Sequence, residues 1–195
     1  MDEKKKTKKV KVTRSIFEHG YLASIAINQL EQAKAELDGH KFRWIIPSMA
    51  FSVFRVEALC NVYGRKLFPH WDHFESTSFI GKIAMISEFL KINIDFSMEP
   101  WQTLNKMKSF RNTLAHAKPQ KAVEVHEVPE DYPEKRLPYP TSNKTILSYS
   151  SIKNAEQFDD VADELEMLWM HNARVLGFEI DTSGRPEYSV EGKSK

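Results

Sequence analysis

Residues 44–67 constrain this chain more than any other stretch. The run WIIPSMAFSVFRVEALCNVYGRKL carries apolar residues around much of a helical circumference instead of along one stripe. A helix of that kind has to be covered on several sides, so it belongs at the centre of a group of packed helices. Pro47 fits within its first turn, where a missing N–H is harmless. The covering helices are legible on both sides. Residues 15–37 repeat apolar side chains at Phe17, Tyr21, Leu22, Ile25, Ala26, Leu30, Ala33 and Leu37, the three-to-four spacing of an amphipathic helix. Asp38 and Gly39 form its stop signal. After a turn region at 68–75, a third helix over 76–91 presents Ile80, Ile83, Ala84, Ile86 and Leu90. A fourth starts at Pro100, with Glu99 suited to the positive helix start, and runs to about His116 before Pro119 ends it. A fifth spans 152–176, with Phe158, Val161, Ala162, Leu165, Leu168, Trp169 and Val175 as packing residues. The expected fold is all-α: an antiparallel four-helix bundle plus a fifth C-terminal helix, because the first four helices have short connections.

The segments between and around the helices read differently. Residues 117–150 hold Pro119, Pro129, Pro133, Pro138 and Pro140. They form a long irregular loop before the last helix, with extended pieces possible at 122–128 and 145–150; loops of this length are commonly functional or mobile. The net charge of +1 hides a basic run in residues 1–14, with Lys4, Lys5, Lys6, Lys8, Lys9, Lys11 and Arg14 against Asp2 and Glu3. Such a run cannot pack a core. It reads as a disordered arm, either a solubilising tail or an attractor of polyanions such as RNA. Residues 177–195 read as a polar, frayed tail. Residues 15–176 make one domain, consistent with a length of 195 and a hydrophobic fraction of 41%.

Several function classes are set aside by the sequence. The single cysteine, Cys60, cannot close an intrachain disulfide and reads as a buried inert thiol, which points to a reducing cytoplasm. No secretory signal is evident, and no run reaches the ~18 apolar residues that mark a membrane helix. No phosphate-binding loop, dinucleotide fingerprint or metalloprotease motif occurs, so no cofactor is expected. His70, Asp72 and His73 share a loop, but their spacing is not that of a metal site. His19, His40, His126 and His171 read as isolated surface or helix-end residues, and Trp44, Trp71, Trp101 and Trp169 as core or interface residues.

The candidate chemistry lies at the end of the fourth helix, in Ser109-Phe110-Arg111-Asn112-Thr113-Leu114-Ala115-His116. Asn112 and His116 are four apart and share a face. Arg111 lies about 140° around the helix from His116. Met107, Phe110 and Leu114 can pack the other side. Arginine offers a rigid charged fork that matches phosphate oxygens. Histidine moves protons near neutral pH, and at a helix C-terminus the dipole favours its cationic form. The set suits metal-free cleavage of an RNA phosphodiester, with one group taking the 2′-hydroxyl proton and the arginine stabilising charge on the phosphate. Lys106 and Lys108 flank the set and Lys118 follows it, and these three are the candidate RNA-binding lysines. On the second helix, Ala50, Val53, Phe54, Glu57 and Asn61 fall on one stripe, so Glu57 needs a partner. Arg111 is the expected one, in a pair that either serves the site or only ties two helices together.

Arg111-Asn112-x-x-x-His116, followed by Ala117, Lys118 and Pro119 at the end of a fourth helix, resembles the signature of HEPN domains. Trp101, Leu104, Met107, Phe110 and the apolar second helix agree with that resemblance. It covers residues 15–176 in architecture and only the motif at residue level. It implies a homodimer whose two motifs share a cleft, acting as a metal-independent endoribonuclease that leaves a 2′,3′-cyclic phosphate. His116 would then move the proton, Arg111 hold the phosphate and Asn112 position them, with Glu57 matching the acidic or polar residue that such proteins often carry on the facing helix. It also implies toxin or defence roles with an antitoxin or regulatory protein as partner, or a non-catalytic module that binds nucleotide, RNA or protein.

Overall fold

The structure, a computed structural model, describes residues 9–119, 121–137, 140 and 145–191. Among these, five α-helices are formed: α1 (Glu18–Ala35), α2 (Phe42–Leu67), α3 (Phe79–Phe89), α4 (Trp101–Ala115) and α5 (Ile152–Val175). Short 3-10 turns stand at Trp71–Phe74, Glu134–Arg136 and Ile146–Tyr149. The protein is thus mainly helical, as its periodicity requires.

α2 is the hub and packs against α1, α3, α4 and α5. It buries Ile45, Met49, Val53, Val56, Leu59, Cys60, Tyr63 and Leu67, together with Ser48, Ser52 and Arg55. By length and composition α2 could cross a bilayer, yet more than half of its apolar window is buried against the other helices. Its buried serines find partners inside: Ser48 Oγ donates to the Ala26 carbonyl at 2.9 Å, and Ser52 Oγ to the Ser48 carbonyl at 3.2 Å. Pro47 lies one turn deeper than the first-turn position expected for it. The Trp71 ring seats over Gly64, where an added Cβ would stand 2.2 Å from it, and its Nε1 donates to Asn61 Oδ1 at 3.1 Å. Trp169 on α5 donates to Ser87 Oγ on α3 at 2.9 Å. Trp71, Trp101 and Trp169 are buried, and Trp44 packs at the edge of the core.

Helix ends follow their local chemistry. Ser78 Oγ accepts from the Gly81 N–H at the start of α3, and Ser151 Oγ from the Asn154 N–H at the start of α5, each satisfying an orphan donor. The Glu99 carboxylate accepts from Thr103 N–H at 3.1 Å and Thr103 Oγ1 at 2.8 Å at the start of α4, with Pro100 at the cap rather than inside the first turn. α5 stops where Gly177 takes φ +83° and Phe178 N–H returns to the Ala173 carbonyl at 2.8 Å.

Several expectations are corrected. Part of the supposed disordered arm is a strand, β1 (Lys9–Thr13), and part of the supposed frayed tail is its antiparallel partner, β2 (Glu187–Glu191). Alternation in KVKVT and EYSVE sets the two faces, and pairing across the length of the chain hides the strands from local reading. Residues 1–8 of the basic run lie outside the described residues. Tyr21 and Ile25 of α1, Leu114 of α4 and Val175 of α5 are exposed instead of packed, because each stands on the outward half of its helix, and Leu37 is exposed because α1 ends at Ala35, before it. Residues 122–128 form no strand, and 146–149 form a 3-10 turn in place of an extended piece.

Candidate functional site

α4 positions the motif through its buried face. Trp101, Leu104, Met107 and Phe110 are all core residues, and the Phe110 ring stands edge-on to Phe158 of α5 and Tyr149 of the last 3-10 turn, at centroid distances of 5.6 and 5.5 Å. With that face fixed, helical periodicity turns Arg111 towards α2 and leaves Asn112 and His116 exposed. His116 is the C-cap, and its N–H donates to the Asn112 carbonyl at 3.0 Å.

Asn112 and His116 open into a cleft of about 550 Å³, shared with Thr113, Lys118, Thr145 and Ile146. Arg111 is not part of its lining. The guanidinium instead meets Glu57 on α2, with Nε 2.8 Å from Oε1, which is the partner expected from the stripe on the second helix. The pair is half-buried, at 37% and 26% side-chain exposure. Binding through Nε leaves both terminal nitrogens without a partner among the described residues. Within one chain, then, the imidazole lines this cleft and the guanidinium does not.

The candidate lysines divide. Lys118 lines the cleft and Lys108 is exposed. Lys106 Nζ donates to Asn154 Oδ1 at 2.6 Å, tying α4 to α5, so its charge is committed within the fold rather than offered to a ligand. The His70 and His73 rings stand 6.3 Å apart and Asp72 pairs with Arg65 at 3.0 Å; no group of three metal-ligating side chains gathers among the described residues.

A second polar cluster lies between α1, α2 and α5. Arg55 is buried, and its Nη2 pairs with Asp163 and, at 3.0 Å, with Glu166, while Nη1 lies 3.6 Å from Asp159. His19, expected to be an isolated surface or helix-end residue, is buried with Nε2 3.4 Å from Glu166. Burial pushes the Asp159 carboxyl up, with Arg55 only partly opposing it. Burial also pushes Glu166 up, but His19 and Arg55 together outweigh it and hold that carboxyl below its usual range. Burial raises the Tyr63 phenol to about 12. The available sequence signal was Asp159, Asp163 and Glu166 on one face of the fifth helix, matched by a lone arginine on the buried side of the second.

Compared with models of protein families, with curated proteins and with solved structures, the chain matches none.

Proposed function

We propose that this protein is a HEPN-type, metal-independent endoribonuclease, built on a four-helix bundle with an added fifth helix and acting as a homodimer. One observation supports the reading above the others. Glu57 holds the Arg111 guanidinium from its Nε side, leaving the two terminal N–H₂ groups as a fork for phosphate oxygens. His116 and Asn112 stand exposed on the same last turn, beside Lys118. Because Arg111 and His116 of one chain do not share a cleft, the reading requires a second copy, whose motif brings His116 to the first chain's Arg111.

In that composite cleft a basic imidazole removes the 2′-hydroxyl proton, and the 2′-oxygen attacks the adjacent phosphorus. The imidazolium so formed gives that proton to the departing 5′-oxygen, leaving a 2′,3′-cyclic phosphate and a 5′-hydroxyl end. Arg111 carries the charge that builds on the non-bridging oxygens, and Asn112 orients the phosphate. Glu57 acts as a positioning residue. Lys118 and Lys108 extend the cationic track along the RNA backbone.

The separation of Arg111 from His116 also favours a second reading, a module that binds RNA or nucleotide without cleaving it. RNA incubated in EDTA distinguishes the two. The enzyme reading expects cleavage with cyclic-phosphate ends in the wild type, lost in His116→Ala and in Arg111→Ala. Retained RNA binding with no cleavage at any protein concentration would overturn it in favour of the module. Toxin or defence roles, with an antitoxin or regulatory protein as partner, belong to this same proposal, as does a cytoplasmic setting.

A further inference from the structure

The β1–β2 ribbon has an unfilled edge. Among the described residues the sheet holds two strands only. All five β1 residues are exposed, with Val10 and Val12 at 42% and 56%, and Tyr188 opposite Val12 at 70%. Two short strands alone are marginal in water, and a bare strand edge is a template for pairing. The two chain segments stay joined beyond the strands: Arg14 Nε donates to the Gly184 carbonyl at 2.9 Å, and Gly184 packs closely on the Ser15 backbone.

Side chains alternate across a strand, so Lys9, Lys11 and Thr13 form one row and Val10 and Val12 the other. The register with β2 shows what these rows accept. Lys11 and Thr13 stand opposite Ser189 and Glu187, and Val12 opposite Tyr188. The outer edge of β1 presents the same two rows to a newcomer.

We propose that this outer edge takes up an extended segment of a partner protein in which acidic and apolar residues alternate, adding a third strand. Main-chain bonds supply the affinity and the alternation supplies the choice of partner. RNA is less well suited to these lysines, because Glu187 belongs to the same row and the valine row offers phosphate nothing. The ribbon shares no residue with the cleft at His116. The inference therefore stands or falls apart from the ribonuclease reading.

The test is fluorescence anisotropy of the full chain with a labelled peptide copying residues 186–191. Two further peptides are N-methylated on alternate residues, one set each. Saturable binding is expected, kept by one methylated peptide and abolished in the other, since a strand pairs through one edge at a time. A Lys9→Glu/Lys11→Glu chain should bind the peptide about tenfold more weakly and recover affinity for a peptide with lysines in place of its glutamates. The alternate β2 amides that point at β1 should stay protected from hydrogen exchange. Absence of binding at about 1 mM peptide, equal binding of both methylated peptides, or loss of that protection through displacement of β2 would overturn the proposal. So would a ribbon whose lysines bind oligouridine in place of the peptide, or one occupied by a second copy of the chain, seen as self-association that the lysine swap abolishes.

Discussion

Replacing Arg55 with methionine tests the energetics of the α1–α2–α5 junction. The substitution keeps much of the side-chain volume and removes the charge that Asp159, Asp163 and Glu166 surround. Stranding a fully buried partner costs about 3–5 kcal/mol. The carboxylates here are unequally buried, however. Glu166 and Asp159 have 21% and 14% side-chain exposure, whereas Asp163 has 59%, and water screens its share to about 0–1 kcal/mol. The expected loss is therefore about 2–3 kcal/mol, or a fall in Tm of about 4–12 °C for a chain of this size. The pH dependence has a definite sign. Glu166 is held below its ordinary value of 4.5, so its stabilisation is present above that pH and fades as pH falls through the lowered folded value. Asp159 is raised above 3.8; it favours folding below that pH and loses this as pH rises through its folded value. Without Arg55, burial governs Asp159, which then prefers acid, and Glu166 keeps only His19 to oppose its burial. The gap between wild type and variant should thus be widest at neutral pH and narrow below pH 4.5. Urea denaturation followed by circular dichroism, at neutral and at acid pH, reads both quantities. A neutral-pH difference under about 0.5 kcal/mol, or a gap that widens in acid, would refute the reasoning.

Three other outcomes follow from the same contacts. Glu57→Ala should cost only about 0.5–1 kcal/mol of stability, because the pair with Arg111 is half-exposed, yet reduce RNA cleavage at least about tenfold; Glu57→Gln should retain part of that activity, and equal activity in all three proteins would remove Glu57 from the site. Gly64→Ala drives a methyl into the Trp71 ring and should destabilise by about 1–3 kcal/mol, which urea melts would detect as a lowered midpoint. Cys60 is fully buried and burial holds its thiol well above the usual range, so native protein should resist thiol reagents until urea unfolds it; rapid labelling in buffer would mean that the centre of α2 opens.

The helices were legible because each carries its own period. The apolar circumference of residues 44–67 announced the hub, and Ser78, Glu99, Ser151 and Gly177 mark helix ends with local chemistry. The Glu57–Arg111 pair was legible too, since an acid within an apolar stripe needs a cation and the fourth helix supplied one. What stayed hidden depends on distant partners. His19 looks isolated until α5 brings Glu166 beside it. Lys9–Thr13 looks like a charged tail until Glu187–Glu191 pairs with it. Residues such as Leu114 and Val175 fit an apolar period but lie outside the stripe that the neighbouring helices cover. The relative placement of Arg111 and His116 was only half legible: periodicity set them about 140° apart, but not that Glu57 would hold one while the other opened into a separate cleft.

Subunit mixing tests the composite cleft most directly. Chains carrying Arg111→Ala and chains carrying His116→Ala, each inactive alone, are unfolded together, refolded and assayed on RNA in EDTA. If each cleft takes its arginine from one chain and its histidine from the other, half of the clefts in every mixed dimer are complete, and about a quarter of wild-type activity returns with random pairing. A mixture as inactive as its parents, beside a wild type that cleaves, would place both residues of each cleft in a single chain and contradict the account.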